Sequence, residues 1–192
     1  METEVVKIPV VVYTESSPNP NSLKFVSNKT LLEEGASADF PDTASAEHCP
    51  IALDLFKFSF VRRVFISSNF VTITKDEASD WNDLVPLLKP FVKGWLEEEK
   101  PLFREGFKKE NIDGLSEIAQ KIQVVLDEYI RPAVESDGGN ITFHSFEDGV
   151  VKVLLQGSCS GCPSSTLTLK SGIENLLTRL IPEVKSVVAE GA

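Results

Sequence analysis

Two cysteines set two residues apart, between a strand-like run and a helix-like run, constrain this chain more than any other feature in it. The stretch reads Gly157-Ser158-Cys159-Ser160-Gly161-Cys162-Pro163-Ser164-Ser165. Alternating apolar residues over 150–155 lead in, and an apolar stripe over 167–180 leads out. Proline suits the first position of a helix, where no backbone donor is lost. The sulfurs are therefore expected on a loop at a helix N-terminus, where the partial positive charge favours thiolates and bound anions. Gly157 and Gly161 let the loop turn sharply and bring backbone close to the sulfurs. The loop is built for two thiolates.

Composition narrows the chemistry. A formal charge of −10 over 192 residues excludes a general binder of nucleic-acid backbone. Three cysteines leave one unpaired and cannot make a disulfide framework. A Cys-x-x-Cys pair in a reducing compartment points instead to metal or redox work. The start of the chain, Met1-Glu2-Thr3-Glu4-Val5-Val6-Lys7-Ile8, carries acid early and lacks the Arg-rich character of an organelle presequence. No apolar run approaches the ~20 residues that span a bilayer. A soluble cytoplasmic protein is expected, with no nucleic-acid or membrane partner.

Taken in order, strands are predicted at 8–13, 23–26 and 38–40, and a helix at 44–56 with Pro50 in or near its first turns. A hairpin is predicted from 58–67 and 70–74 around Ser68-Asn69. A helical stripe follows over 76–99, with a kink or late start at Pro86 and Pro90. The charged stretch from Glu97 to Glu117, with Pro101, Gly106 and Gly114, reads as a domain boundary, part of which docks through Phe103 and Phe107. A second stripe begins at Leu115, is bent by Pro132, and stops at Asp137-Gly138-Gly139. Then come a strand at 141–143, the turn Glu147-Asp148-Gly149, the strand into the cysteine loop, the helix to Leu180, and a last strand at 184–189. The fold class is α+β: two small domains, each a small sheet with helices, at 1–98 and 115–192, joined by a charged linker at 99–114.

With these residues in place, the chain resembles the Nfu branch of the NifU-like iron–sulfur scaffold and carrier proteins. The C-terminal resemblance rests on Ile130-Arg131-Pro132, Asp137-Gly138-Gly139, the cysteine loop, Gly172-Ile173-Glu174 and Ile181-Pro182-Glu183-Val184. The N-terminal one rests on Pro18-Asn19-Pro20-Asn21-Ser22-Leu23-Lys24-Phe25, Leu55-Phe56, Val64-Phe65 and 70–75, with departures at Ser17, Cys49 and Ser59-Phe60. The resemblance implies a [4Fe-4S] cluster, with a [2Fe-2S] form left open, held by Cys159 and Cys162 and passed to apo iron–sulfur proteins. It also implies an upstream assembly scaffold as donor.

A cubane cluster takes one outer ligand per iron, usually a thiolate, so it wants four. One chain offers a single close pair, so two chains in a homodimer are expected to share the cluster. Other readings of the pair stand beside this one. A zinc site needs four tight ligands, and the only histidines, His48 and His144, are distant in sequence. A thiol–disulfide oxidoreductase also places Cys-x-x-Cys at a helix start, but here the proline follows the second cysteine. Cys49 is read as a small core or half-exposed residue, and Asp137 as part of a helix-ending turn. The Pro18–Phe25 stretch is read as either a partner-docking loop or a rigid connection. The N-terminal domain is assigned to partner recognition or to restraining the cluster domain. No general base, nucleophile constellation or phosphate loop stands out, so the chain is not expected to be an enzyme.

Overall fold

The computed structural model describes residues 8–33, 35–104, 116–160 and 163–191, with the side chains of 163–166 not described. The N-terminal half is one five-stranded sheet. Its strands are β1 (Val12–Ser16), β2 (Ser22–Ser27), β3 (Ser37–Phe40), β4 (Val61–Ser67) and β5 (Phe70–Lys75). They lie in the order β1-β2-β5-β4-β3, every neighbouring pair antiparallel. Helices α1 (Pro50–Leu55) and α2 (Trp81–Glu97) belong to the same half. Side chains alternate across β4: Val64 and Ile66 join Ile51, Leu55, Leu88 and Val92 in the main core, while Phe65 points the other way. Leu102 and Phe103 also pack against that core, so the stretch expected as a linker begins by docking. Its centre, including Phe107, lies outside the described residues.

Two elements differ from expectation, each for a local reason, and a third starts late as expected. The helix predicted over 44–56 shrinks to α1. Proline disfavours helical geometry in the residue before it, and Cys49 is accordingly extended (φ −121°, ψ 93°), so the helix cannot begin earlier. The first strand runs later than predicted, because its register is set by pairing Thr14 with Phe25 across the Pro-Asn loop. Helix α2 starts late, at Trp81, capped by Asp80 accepting from the Asn82 amide at 2.7 Å. It tolerates Pro86 and Pro90 because both lie on its exposed side, where carbonyls robbed of a donor meet water.

The C-terminal half opens with α3 (Glu117–Val125), a π-helical turn (Leu126–Ile130) and α4 (Arg131–Ser136). The predicted bend is this π turn. A proline at 132 has no N–H and its ring crowds the carbonyl four residues back, and widening the preceding turn relieves both. A three-stranded sheet follows, β6 (Gly139–Glu147), β7 (Val150–Gly157) and β8 (Ser186–Gly191), with β7 in the middle. Strands β6 and β7 pair antiparallel through a turn in which Asp148 (φ 52°) and Gly149 (φ 87°) are both left-handed. Strand β8 lies parallel to β7, as the long connection through α5 (Pro163–Leu180) requires. Ile122, Leu126, Ile141, Val153, Leu155, Ile173 and Leu177 fill this second core.

Candidate functional site

The cysteine loop leaves the C-terminal end of central strand β7 and meets the turn that ends α4. Gly138, at φ +84°, turns the chain out of that helix, and the Ser158 amide donates to its carbonyl at 3.3 Å. Ser158 Oγ donates to the Asp137 carbonyl at 2.6 Å. Gly139 leaves room for sulfur: a Cβ there would lie 2.9 Å from Cys159 Sγ. The two motifs, twenty residues apart in sequence, thus form one structure. The first is a glycine pocket, and the second lays a sulfur into it. Cys159 is 5% exposed and forms one wall of an open cavity of about 460 Å³ with Pro18, Ile130, Val134, Asp137 and Leu169. Cys162 and Gly161 lie outside the described residues; Pro163, next in sequence, opens α5 as the sequence predicts.

The other candidate donors are placed elsewhere. Cys49 is fully buried in the N-terminal core beside Ile51 and Ala52, rather than half-exposed. Burial pushes its thiol up to about 11, from an ordinary 9.0, against weaker help from the Ala52 and Ile51 amides. The folded state thus keeps Cys49 protonated where the unfolded chain would ionise. Its contribution to stability is complete below pH 9 and is lost as pH rises towards 11. We expect the unfolding free energy to fall over that window by on the order of 1–3 kcal/mol. A Cys49→Ala variant should show a flatter alkaline limb in denaturant titrations. His48 and His144 are both exposed, on different halves. Among the described residues no group of three or more His, Cys, Asp and Glu comes together to hold a metal.

Two residues that the sequence reading did not place at the site touch the loop from the N-terminal half, one on the β1–β2 connection and one on β4. Asn19 donates from Nδ2 to the Ser158 carbonyl at 3.0 Å. Arg63, held by a two-pronged contact to Asp39, donates from Nη1 to Ser160 Oγ at 2.9 Å. The Pro18–Phe25 stretch therefore docks, and what it docks on is this chain's own cysteine loop. Asn19 carried a sequence signal as an Asx-turn residue: its Oδ1 accepts from the Asn21 amide at 3.0 Å. Arg63 carried none, being one of 19 basic residues and 97 positions from its partner.

A small α+β domain whose glycine turn seats the sulfur of Cys159, lying against a five-stranded antiparallel sheet, defines a two-domain protein with a thiol-bearing loop. Sequence comparison makes the class particular. Residues 12–99 match the family described as scaffold protein Nfu/NifU N terminal, and residues 122–188 match the NifU-like domain. The chain is 40% identical to the mitochondrial NFU1 iron-sulfur cluster scaffold homolog of Drosophila persimilis, over 97% of its own length and 67% of that protein. It is 42% identical to the human NFU1 homolog, with 92% and 70% covered, and 42% identical to the mitochondrial NifU-like protein 4 of Arabidopsis thaliana, with 93% and 65% covered. The chain belongs to the Nfu family of iron–sulfur cluster scaffold proteins. Other matched relatives extend further beyond it; the chain spans 60% of the Drosophila grimshawi homolog.

These relatives are mitochondrial proteins, and that overturns the cytoplasmic expectation. The expectation rested on the composition of the first eight residues. Compartment is a property of targeting, which the residues of two folded domains do not encode. Among the described residues no helix is long and apolar enough to cross a membrane.

Proposed function

We propose that this protein carries a [4Fe-4S] cluster on Cys159 and Cys162, shared between two copies of the chain, and delivers it to apo iron–sulfur proteins. The observation that carries the reading is the seating of Cys159: its sulfur lies over Gly139, at the edge of a cavity, in a chain of the iron–sulfur scaffold family. The thiol count supports sharing, because Cys49 is buried in the other core and is no third donor beside the loop.

The cluster is cargo here. In transfer, an acceptor thiolate replaces one of the four cysteine thiolates on an iron, and the proton given up by the incoming thiol goes to the displaced one. No electron moves, and repetition empties the carrier. The protein thereby acts as a ligand set, not as an enzyme. It receives the cluster from an upstream assembly scaffold by the same exchange.

Anaerobic reconstitution with iron and sulfide tests this. Chemical analysis should return about four irons and four sulfides per two chains, on a particle of dimeric mass by light scattering. A cluster retained on a single chain overturns the shared site. A two-iron stoichiometry overturns the cubane. A protein that takes up no iron, yet reduces a disulfide substrate, overturns carriage altogether.

A further inference from the structure

The outer face of the N-terminal sheet is occupied, and its occupant is the cysteine loop. Phe65, Val26 and Phe70 form an apolar cluster on that face, apart from the main core, and Phe65 is wholly buried. A two-layer domain standing alone would leave that ring in water. Here its cover is Gly157, the residue that opens the loop, at φ +63°: a Cβ there would lie 2.8 Å from the Phe65 ring. Gly138 sits as closely on Thr72 and Lys24, its would-be Cβ 2.9 Å from Thr72 Oγ1. Hydrogen bonds key the two surfaces together. Asn19 and Arg63 bind the backbone of Ser158 and the hydroxyl of Ser160, on either side of Cys159. Further along, Asn140 donates to Ser37 Oγ at 2.8 Å, and that hydroxyl donates to Gln156 Oε1 at 3.3 Å.

From this contact we infer that the N-terminal sheet is a cover for the cysteine loop. The arrangement seen here is the closed form, and loading requires the cover to lift. The inference rests on the reading of Cys159 as a cargo ligand. Residues 157, 158 and 160 are pinned to the chain's own N-terminal half by Phe65, Asn19 and Arg63, and a loop so held must come away from that half to meet a second copy's loop across a shared cluster. The closed form is also incompletely satisfied. Thr72 Oγ1 is buried against Gly138 with no hydrogen-bond partner, and Arg131 Nε is likewise buried and unpartnered. Closure takes the Thr72 hydroxyl from water and returns it no partner, which leaves the cover poised to open.

Alkylation of the metal-free, reduced, full-length chain by iodoacetamide, followed site by site by mass spectrometry, tests the cover without any cluster. Asn19→Asp keeps the Oδ1 that turns its own loop, but sets a carboxylate against the Ser158 carbonyl. It should open the cover and speed Cys159 alkylation by about tenfold or more, the equivalent of about 1.4 kcal/mol. Thr72→Val replaces the unpartnered hydroxyl with a methyl of the same shape. It should slow Cys159 alkylation severalfold and slow iron–sulfide uptake with it. Cys49 reports integrity of the N-terminal core and should stay unreactive in both. If Asn19→Asp exposes Cys49, Thr72→Val alone decides. Rates at Cys159 within twofold of the parent in both variants, with Cys49 protected, overturn the cover and leave cluster carriage standing. Altered alkylation in protein that never takes up a cluster would uphold the cover and overturn the cargo reading.

Discussion

Cys159→Ser is expected to abolish cluster retention. Iron in these clusters binds soft thiolate, and a serine hydroxyl remains protonated and hard at neutral pH. Loss of an outer-sphere partner of a metal ligand already weakens affinity by about 10–100-fold, so loss of the ligand itself should do at least as much. In a shared site the effect doubles, because each of the two chains loses one donor. Visible charge-transfer absorption after anaerobic reconstitution should drop to background, while far-ultraviolet circular dichroism stays at the parent value. The fold should survive because the replacement is nearly the same size and Ser158 Oγ, 3.9 Å from the sulfur, offers a nearby hydrogen-bond partner. A Cys159→Ser protein that still holds a full cluster would show that the loop is not the carrier. The control is Cys49→Ala, which should retain the cluster, since Cys49 belongs to the other core.

Leu155→Ala is expected to melt the C-terminal domain well below the N-terminal one. Leu155 is fully buried on the central strand β7, opposite Ile141 on one side and Gly191 on the other. Truncating such a side chain costs about 2–5 kcal/mol, the transfer term plus the cavity left behind. For a domain of this size each kcal/mol lowers the midpoint by about 4–8 °C. Calorimetry should therefore show the C-terminal transition moved down by about 10 °C or more, with the N-terminal one moved much less. Equal movement of both would mean that the docked sheet and loop melt as one unit. Because β7 delivers the cysteine loop, the same variant should also lose its cluster faster on warming than the parent.

Residue patterns alone carried much of this. The hairpin around Ser68-Asn69, the helix opening at Pro163 and the glycine stop after Asp137 are each set by backbone rules acting over a few residues. All three appear where expected. The α+β class and its two halves were legible for the same reason, since apolar periodicity reports which face of an element is buried. Where local rules compete, the reading slipped. Apolar spacing at Ala52, Leu55 and Phe56 pointed to a helix reaching back to Ala44, and the restriction that Pro50 imposes on Cys49 cut it short.

What the sequence by itself determined is the chemistry: two thiols, their spacing, and the glycines that let a loop hold them. Tertiary structure alone decided that Cys49 belongs to a separate core, that Gly139 makes the space for the Cys159 sulfur, and that Asn19 and Arg63 reach across from the other domain. The reason is range. Turn and capping preferences act between neighbours and leave a mark in residue order. A hydrogen bond spanning 139 positions is set only when two surfaces of matching shape come together.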